Sequence, residues 1–523
     1  MQTSNGVTMA RYKPYNANQS RLVPITLSEH IYEGSLEEAI HLTVEDLDLS
    51  GMENLYNNDD TGRPAINPKV LLKVILLAYA RGMIGSRVIE RACRENVLFM
   101  ALAGGEQPDH ATIAAFVSAL KGHIMDIFVE VLIICEKMDL LSSTHLSLDG
   151  LKLPSNASKE HSGTFKELQK KRSKLKGKLK KLIREHRQLD KSGKSALEIR
   201  ANKRAKQIKR IQNEVKRLDH FLKSEQPKAG KTKKEIQSNI SDNQSAKMPT
   251  SHGVIQGYNA QAVVDDKQQI IVAAEAMSNG QDHDNLVPML ELTKENLKSA
   301  GKGEESLKGV ILTADANYHN HKNLAHCEQE EIDAYIPDTG FRKRDERFKD
   351  MDRFKDGVNK PPKAGQSGKP QIKTSLKDFR YDAQKDQYIC PQGKELKLET
   401  RRLKSTDKWY HLYRIMDDSC VECPIRDKCM SNKKARQRCI CVPGEPFQKG
   451  LTLSQKMQHK IDTPLGKDNY GERIGNIEPV FGNIRYNKGM DRFTYRGKVK
   501  VNVQWMLYCL VHNIEKIAHY GIA

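Results

Sequence analysis

The sequence predicts an α/β protein: one mixed sheet flanked by helices, an α-helical domain ahead of it, and two insertions, a helical hairpin and a small cysteine-rich segment. Three patterns carry that prediction. Segments of strand character at 145–153, 257–266, 269–278, 309–315 and 332–337 are interrupted by helix-like 284–299 and 320–330. They run strand, strand, strand, helix, strand, helix, strand. Apolar residues recur at helical spacing through 164–222, and cysteines gather between 390 and 441.

Residues 1–60 read as a short helical lead-in. The apolar run at 70–80 suits a helix, Arg81-Gly82-Met83 breaks it, and 85–94 forms a second, basic amphipathic segment. Helix, tight turn and basic helix fit a helix-turn-helix with Arg87, Arg91 and Arg94 toward DNA; a plain packed helical pair has the same spacing. Asp109 reads as the N-cap of the helix through Ile113 and Phe116. Together these make 1–140 a helical N-terminal domain.

Residues 141–337 hold the first part of the sheet-bearing core, interrupted at 164–234. There Leu168, Leu175, Leu182 and Leu189 fall at seven-residue steps, and 190–195 contains a Gly break. Leu197, Ile208, Ile211, Val215, Leu218 and Leu222 follow. Two such stripes predict an antiparallel helical hairpin with a coiled-coil seam, an arm between the first two core strands. Residues 338–455 open on a Pro- and Gly-rich linker at 361–370 and carry the cysteines. Residues 456–523 return to the core as helices.

The chain has 523 residues and a formal net charge of +20, which favours a polyanionic partner. Segment 164–234 alone has 26 Lys or Arg against 7 Asp or Glu, so it carries +19 of that charge. The start Met-Gln-Thr-Ser-Asn-Gly-Val has no apolar signal stretch. The apolar runs 70–80 and 127–135 are short and interrupted by Lys73 and Glu130, so no membrane partner and a cytoplasmic location are expected. Ten cysteines then point to reduced thiols and metal ligation rather than disulfides.

Three carboxylates narrow the chemistry. Asp149 ends the alternation His-Leu-Ser-Leu-Asp-Gly, Asp315 ends the apolar run 309–315, and Glu478 stands in Asn-Ile-Glu-Pro-Val-Phe-Gly. Two strand-end aspartates and a late glutamate are what a hard cation such as Mg²⁺ or Mn²⁺ takes beside substrate phosphate.

The residues around these three resemble DDE transposases of bacterial insertion sequences. The likeness runs through Gly-Arg-Pro-Ala-Ile-Asn-Pro (62–68), Pro-Asp-His-Ala-Thr-Ile-Ala-Ala-Phe (108–116), Leu-Asp-Gly-Leu-Lys (148–152), Gly-Tyr-Asn-Ala-Gln (257–261), Ala-Asp-Ala-Asn-Tyr (314–318) and Ile-Glu-Pro-Val-Phe-Gly (477–482). It implies a ribonuclease H-like core whose first and fourth strands lie side by side, bringing Asp149 and Asp315 together across 166 positions. A helix packed over that crevice would deliver Glu478. The three would hold two Mg²⁺ or Mn²⁺ ions, Asp149 bridging, for nicking at element ends and transfer of the freed 3′-hydroxyl to target DNA. The implied partners are double-stranded DNA, as element ends and target, and a second copy of the chain when two ends are paired.

Tyr470, Arg473, Glu478 and Arg485 stand in the family's pattern of Tyr, Arg, Glu and a basic residue. Arg485 replaces the usual Lys, and Val117 follows Phe116 where Arg is expected. Arg473, Arg485, Lys488, Arg492, Arg496 and Lys498 suit phosphates, with Tyr470 donating a hydrogen bond. His319 and His321 follow Asp315 at a helix start, where imidazole can meet phosphate or serve as a cap. Asp282 and Asp284 read as cap and turn, with an auxiliary metal contact as the alternative. Cys390, Cys420, Cys423 and Cys429 suit a tetrahedral structural Zn²⁺, with Cys439 and Cys441 as competing ligands. The alternative function is a catalytically silent or domesticated derivative that binds DNA without cutting it.

Overall fold

The computed structural model describes residues 26–53, 64–190, 195–230, 234–250, 253–348, 374–382, 384–404, 408–430, 435–443 and 452–521. The hairpin turn at 191–194, the linker at 361–370, the side chains of Leu189 and Leu197, and the first two residues of the 62–68 motif lie outside the described residues. Contacts divide the chain into two units: Met1–Tyr318, His326–Ala334 and Asp468–Ala523 form the first, and His319–Ala325 with Tyr335–Lys467 the second.

The first unit begins with helices α1 (Leu36–Asp46), α2 (Pro68–Ala80), α3 (Ser86–Glu95), α4 (Val97–Leu102), α5 (His110–Ala119) and α6 (Ile124–Lys137). Caps fix their starts. Ser35 accepts from Glu38 N, Asn67 from Lys69 N ahead of Pro68, and Asp109 from Thr112 N, as the sequence predicts. α2 is buried on nearly every side, and its Lys73 pairs with Glu45 beside His41. The turn after α2 uses Gly82 at φ 68°, a conformation open to glycine.

The sheet of this unit follows. β1 (His145–Pro154) leads into α7 (Phe165–Asp190) and α8 (Ser195–Ser224). Then come β2 (Ala246–Thr250), β3 (Gly253–Asp265), β4 (Ile271–Met277), α9 (Leu286–Leu297), β5 (Ile311–Ala314), α10 (His321–Gln329) and β6 (Asp333–Tyr335). The sheet order is β6-β5-β1-β3-β2, with β4 also paired to β3. β1 runs antiparallel to β3 and parallel to β5, and β3 runs antiparallel to both β2 and β4. The predicted order of strands and helices is met; β2 was not foreseen, because Lys247 and Pro249 break its strand pattern. β1 and β3 approach closely at Gly257, where a Cβ would stand 2.0 Å from the Leu153 carbonyl oxygen.

α7 and α8 form the predicted hairpin. One seam joins Phe165, Leu168, Leu218 and Phe221, and a second joins Leu182, Ile208, Ile211 and Val215, with Leu175 touching both. Glu185, Glu214 and Asp219 are taken up by pairs with Arg204, Lys171, Arg172 and Lys176 within the hairpin. The outward cations therefore far outnumber the acids left to answer them.

The second unit carries an antiparallel five-stranded sheet in chain order: β7 (Arg380–Asp382), β8 (Gln387–Ile389), β9 (Glu395–Lys404), β10 (Lys408–Arg414) and β11 (Cys439–Pro443). Phe379, Leu396, Tyr413, Ile415 and Ile440 pack with Cys420 and Cys429 in its core. Helix α11 (Leu453–Asp462) starts at a capping box between Thr452 and Gln455.

Two long helices end the chain, α12 (Pro464–Gly482) and α13 (Lys498–Tyr520). α13 is buried from Trp505 through Ile514 and contacts β4 as well as α1, α2 and α6. It also completes an open edge of the sheet. Asn513 accepts from Ile271 N at 2.9 Å and donates to Ile271 O at 2.9 Å, and Asn502 accepts from Ala276 N at 2.8 Å. Among the described residues no helix is long and apolar enough to cross a membrane. Asn513→Ala strands both backbone groups of Ile271 in a buried setting, so it should cost about 2 kcal/mol of stability. Urea unfolding of the full chain measures it, and an unchanged midpoint would refute the edge-completing role.

Candidate active site

The site grows from strand register. Ser147 pairs with Thr313 and Leu148 with Ala314 along parallel β1 and β5, so Asp149 and Asp315 are the next positions on neighbouring strands. Because side chains alternate along a strand, both aspartates belong to the face on which the Ser147 and Thr313 hydroxyls meet at 2.8 Å. α12 covers this face. Its Asn476 donates to Ser147 Oγ at 3.0 Å, and its Arg473 donates from Nη1 to Asp149 Oδ2 at 2.7 Å.

Each aspartate is also held locally. Gly150 N donates to Asp149 Oδ1 at 2.7 Å, Ala316 N to Asp315 Oδ1 at 2.7 Å, and Asn317 Nδ2 to Asp315 Oδ2 at 3.2 Å. Burial pushes Asp149 above the usual carboxylate range; Arg473 and the Gly150 amide oppose the shift, and the Asp315 charge adds to it. Burial works against the Arg473 charge, yet Asp149, Tyr470 and Asp315 together hold its pKa above the ordinary value. Arg473 Nε and Asn476 Oδ1 remain buried with no partner among the described residues. Gly150 has no room for a side chain, since a Cβ would lie 1.9 Å from Gln261 Nε2.

The opposite face holds a carboxylate that the sequence reading misjudged. Asp282 was expected to be a cap or turn residue, but its side chain collects four side-chain donors. Asn259 Nδ2 (2.6 Å) and Gln261 Nε2 (3.3 Å) reach Oδ1, while Lys152 Nζ (3.2 Å) and Asn317 Nδ2 (3.4 Å) reach Oδ2. The signal was available: Lys152 on β1, and Asn259 and Gln261 on β3, put three polar side chains on one face around Gly150.

Glu478 is not brought to the aspartates. On α12 the buried stripe is Tyr470, Arg473, Ile477 and Val480, while Glu478 lies on the exposed stripe with Ile474, Gly475 and Pro479. In this helical phase Glu478 is turned away from the face that carries Arg473 and Asn476. Pro479 lacks an N–H, and Gln269 Nε2 donates to the Gly475 carbonyl at 3.0 Å.

The basic candidates divide. Tyr470 is buried with the Arg473 guanidinium 5.8 Å from its ring centre. Arg485 is exposed beside Tyr486, and Arg492 and Arg496, also exposed, donate to the Ser155 and Asn156 carbonyls. Lys498 pairs with Glu275 at 2.6 Å. Arg87 and Arg91 point outward from α3, where Arg94 pairs with Glu90 at 2.6 Å. Two candidates are corrected. Lys488 is buried against Glu515, and both ring nitrogens of His319 are engaged, with the Ile336 carbonyl and with Ser454 Oγ, each at 2.8 Å.

Among the described residues no three His, Cys, Asp or Glu side chains form a group that could hold a metal ion. The chemistry of two donor sets still fits one. Asp149 and Asp315 offer hard oxygens side by side, suited to Mg²⁺ or Mn²⁺. In the second unit Cys390 Sγ accepts from Gln392 N at 3.4 Å and Lys394 N at 3.3 Å. Burial raises the Cys420 and Cys429 thiols, and the nearby Cys390 and Cys423 raise them further. Cys390, Cys420 and Cys423 line a cavity of about 450 Å³, whereas Cys439 and Cys441 are exposed on β11.

The mixed sheet thus sets Asp149, inside β1, beside Asp315, just past the end of β5, with the buried Arg473 against them. Residues 389–518 match the family model of a transposase DDE domain, and residues 26–119 match that of a transposase domain (DUF772). Both matches support an insertion-sequence DDE transposase, and such transposase families suggest a general function in transposition. The first match spans Glu478, Arg485 and the four cysteines, and the second spans Arg87 and Arg91. No curated protein matches the chain.

The placement of Lys488 yields a test. Lys488→Ala leaves Glu515 without its cation in a largely buried pair, so the variant should lose about 3 kcal/mol of stability while its affinity for duplex DNA holds. Chemical unfolding and a filter-binding titration check both halves; weakened DNA binding with unchanged stability would return Lys488 to the phosphate contacts.

Proposed function

We propose that this transposase cuts DNA at the ends of its element and joins the freed 3′-hydroxyl to target DNA, with Asp149 and Asp315 as the fixed acidic pair. The parallel register of β1 on β5 carries this reading, because it makes neighbours of two carboxylates 166 positions apart. The order β4-β3-β1-β5-β6, with helices following the third and fourth of these strands in the chain, supports a ribonuclease H-like core.

Asp149 and Asp315 would hold divalent Mg²⁺ or Mn²⁺, which when bound activates the attacking oxygen and stabilises the departing one. Arg473 keeps one nitrogen on Asp149 and so holds that carboxylate in place, with the Tyr470 ring beside the guanidinium. Glu478 lies where Pro479 interrupts the helical hydrogen-bond ladder. A bend there, on binding DNA, would turn it toward the aspartates as the third ligand. Arg485, Arg492, Arg496 and Lys498 would hold the donor strand, Arg87 and Arg91 of α3 would read the element end, and the α7–α8 hairpin would lie along duplex phosphates.

The exposed position of Glu478 favours a second reading, in which this copy binds DNA without cutting it. Mutants separate the two. Asp149→Ala and Asp315→Ala should each abolish Mg²⁺-dependent cleavage of a duplex carrying the element end while leaving DNA binding intact. Glu478→Ala should do the same if the helix bends. Wild-type protein that binds this duplex but does not cleave it with either Mg²⁺ or Mn²⁺ would establish the silent reading instead.

The cysteine cluster would hold one structural Zn²⁺, because a unit with so small a core gains much from a cross-link through metal. Elemental analysis of protein purified without chelator should give about one zinc per chain. Cys420→Ser/Cys423→Ser should lose it; retention of zinc by that double variant would exclude the assignment.

A further inference from the structure

Asp282 belongs to no motif used so far. It precedes α9, is 7% exposed, and lies below the face of β1 and β3 opposite to Arg473. Each of its oxygens accepts two donors, so its lone pairs are spent on the protein. A buried carboxylate so saturated cannot itself bind a ligand without breaking those bonds, but it can fix the groups that donate to it.

Two of those donors lead to the acidic pair. Asn317 Nδ2 is shared between Asp282 Oδ2 at 3.4 Å and Asp315 Oδ2 at 3.2 Å, so one amide spans the two carboxylates. Gln261 donates to Asp282 and accepts from the hydroxyl of Tyr318, three residues after Asp315 and fully buried. The third donor, Lys152, lies three residues beyond Asp149 on β1 and neutralises Asp282, which keeps a further negative charge from repelling the pair.

We propose that Asp282 is a positioning residue: through Asn317 and Gln261 it fixes the turn that carries Asp315, and so sets the orientation in which the Asp315 carboxylate meets a divalent cation. This rests on the assignment of Asp149 and Asp315 as the cation-holding pair. Asp282 touches neither cation nor DNA in this arrangement. Its effect reaches the site only through Asn317, Gln261 and Lys152.

The test reads cation binding directly. Full-length protein is titrated with Mn²⁺, and free Mn²⁺ is followed by electron paramagnetic resonance, without DNA. Asp282→Asn and Asn317→Ala should each weaken Mn²⁺ binding about tenfold, the usual scale for losing a residue that orients a ligand. Asn317 is exposed, so its truncation spares the fold even if the Asp282 variant is unstable. Affinity for duplex DNA in Ca²⁺ should stay at the wild-type value in both, which a general loss of structure would not allow. Asp315→Ala serves as the control. If it loses Mn²⁺ while Asn317→Ala binds as wild type does, the positioning role of Asp282 is wrong and the acidic pair stands. If Asp315→Ala itself binds Mn²⁺ normally, the assignment of the pair and the role of Asp282 fall together.

Discussion

The first unit depends on α13 having two buried faces. One side of the helix meets β4 and supplies amides to its open edge; the other meets α1, α2 and α6. A helix used on one face only would leave either the sheet edge unpaired or the N-terminal helices without a core. His512 shows how strict the burial is. It is 1% exposed and held neutral, its pKa depressed to about 3 chiefly by burial, while Nε2 is 2.9 Å from the Gln269 carbonyl and Nδ1 is 3.1 Å from Asn483 Nδ2.

Among the described residues three ion pairs are sunk into the first unit. Arg473 with Asp149, Lys152 with Asp282 and Lys488 with Glu515 each combine an ion pair with further hydrogen bonds. Pairs of this kind contribute little net stability but fix geometry, since breaking one leaves a charge stranded. Two of the three lie around the aspartates. The site is therefore preorganised by electrostatics on both faces of the sheet.

Much of this was legible in the sequence. Strand and helix order in the sheet, the α7–α8 hairpin and the Asp109 cap follow from local periodicity and turn chemistry, whereas the adjacency of Asp149 and Asp315 was implied by the resemblance to DDE transposases. What escaped was tertiary. Lys488 reads as one more basic residue in a basic tail, and only the fold brings Glu515 to it. His319 looks like a free imidazole until Ile336 and Ser454 take its nitrogens. Asp282 follows the pattern of a turn, and its four partners come from three other segments. Glu478 shows a different limit: a motif fixes a residue's neighbours in the chain, but the phase of the helix decides which way it faces.

The hairpin closes its own seam. Its apolar residues are spent between α7 and α8 in two successive seams, and Glu185, Glu214 and Asp219 are spent on pairs within it. The surface that remains is chemically uncommitted. An arm of this construction can be lengthened, shortened or recharged without disturbing the strand register that sets Asp149 beside Asp315.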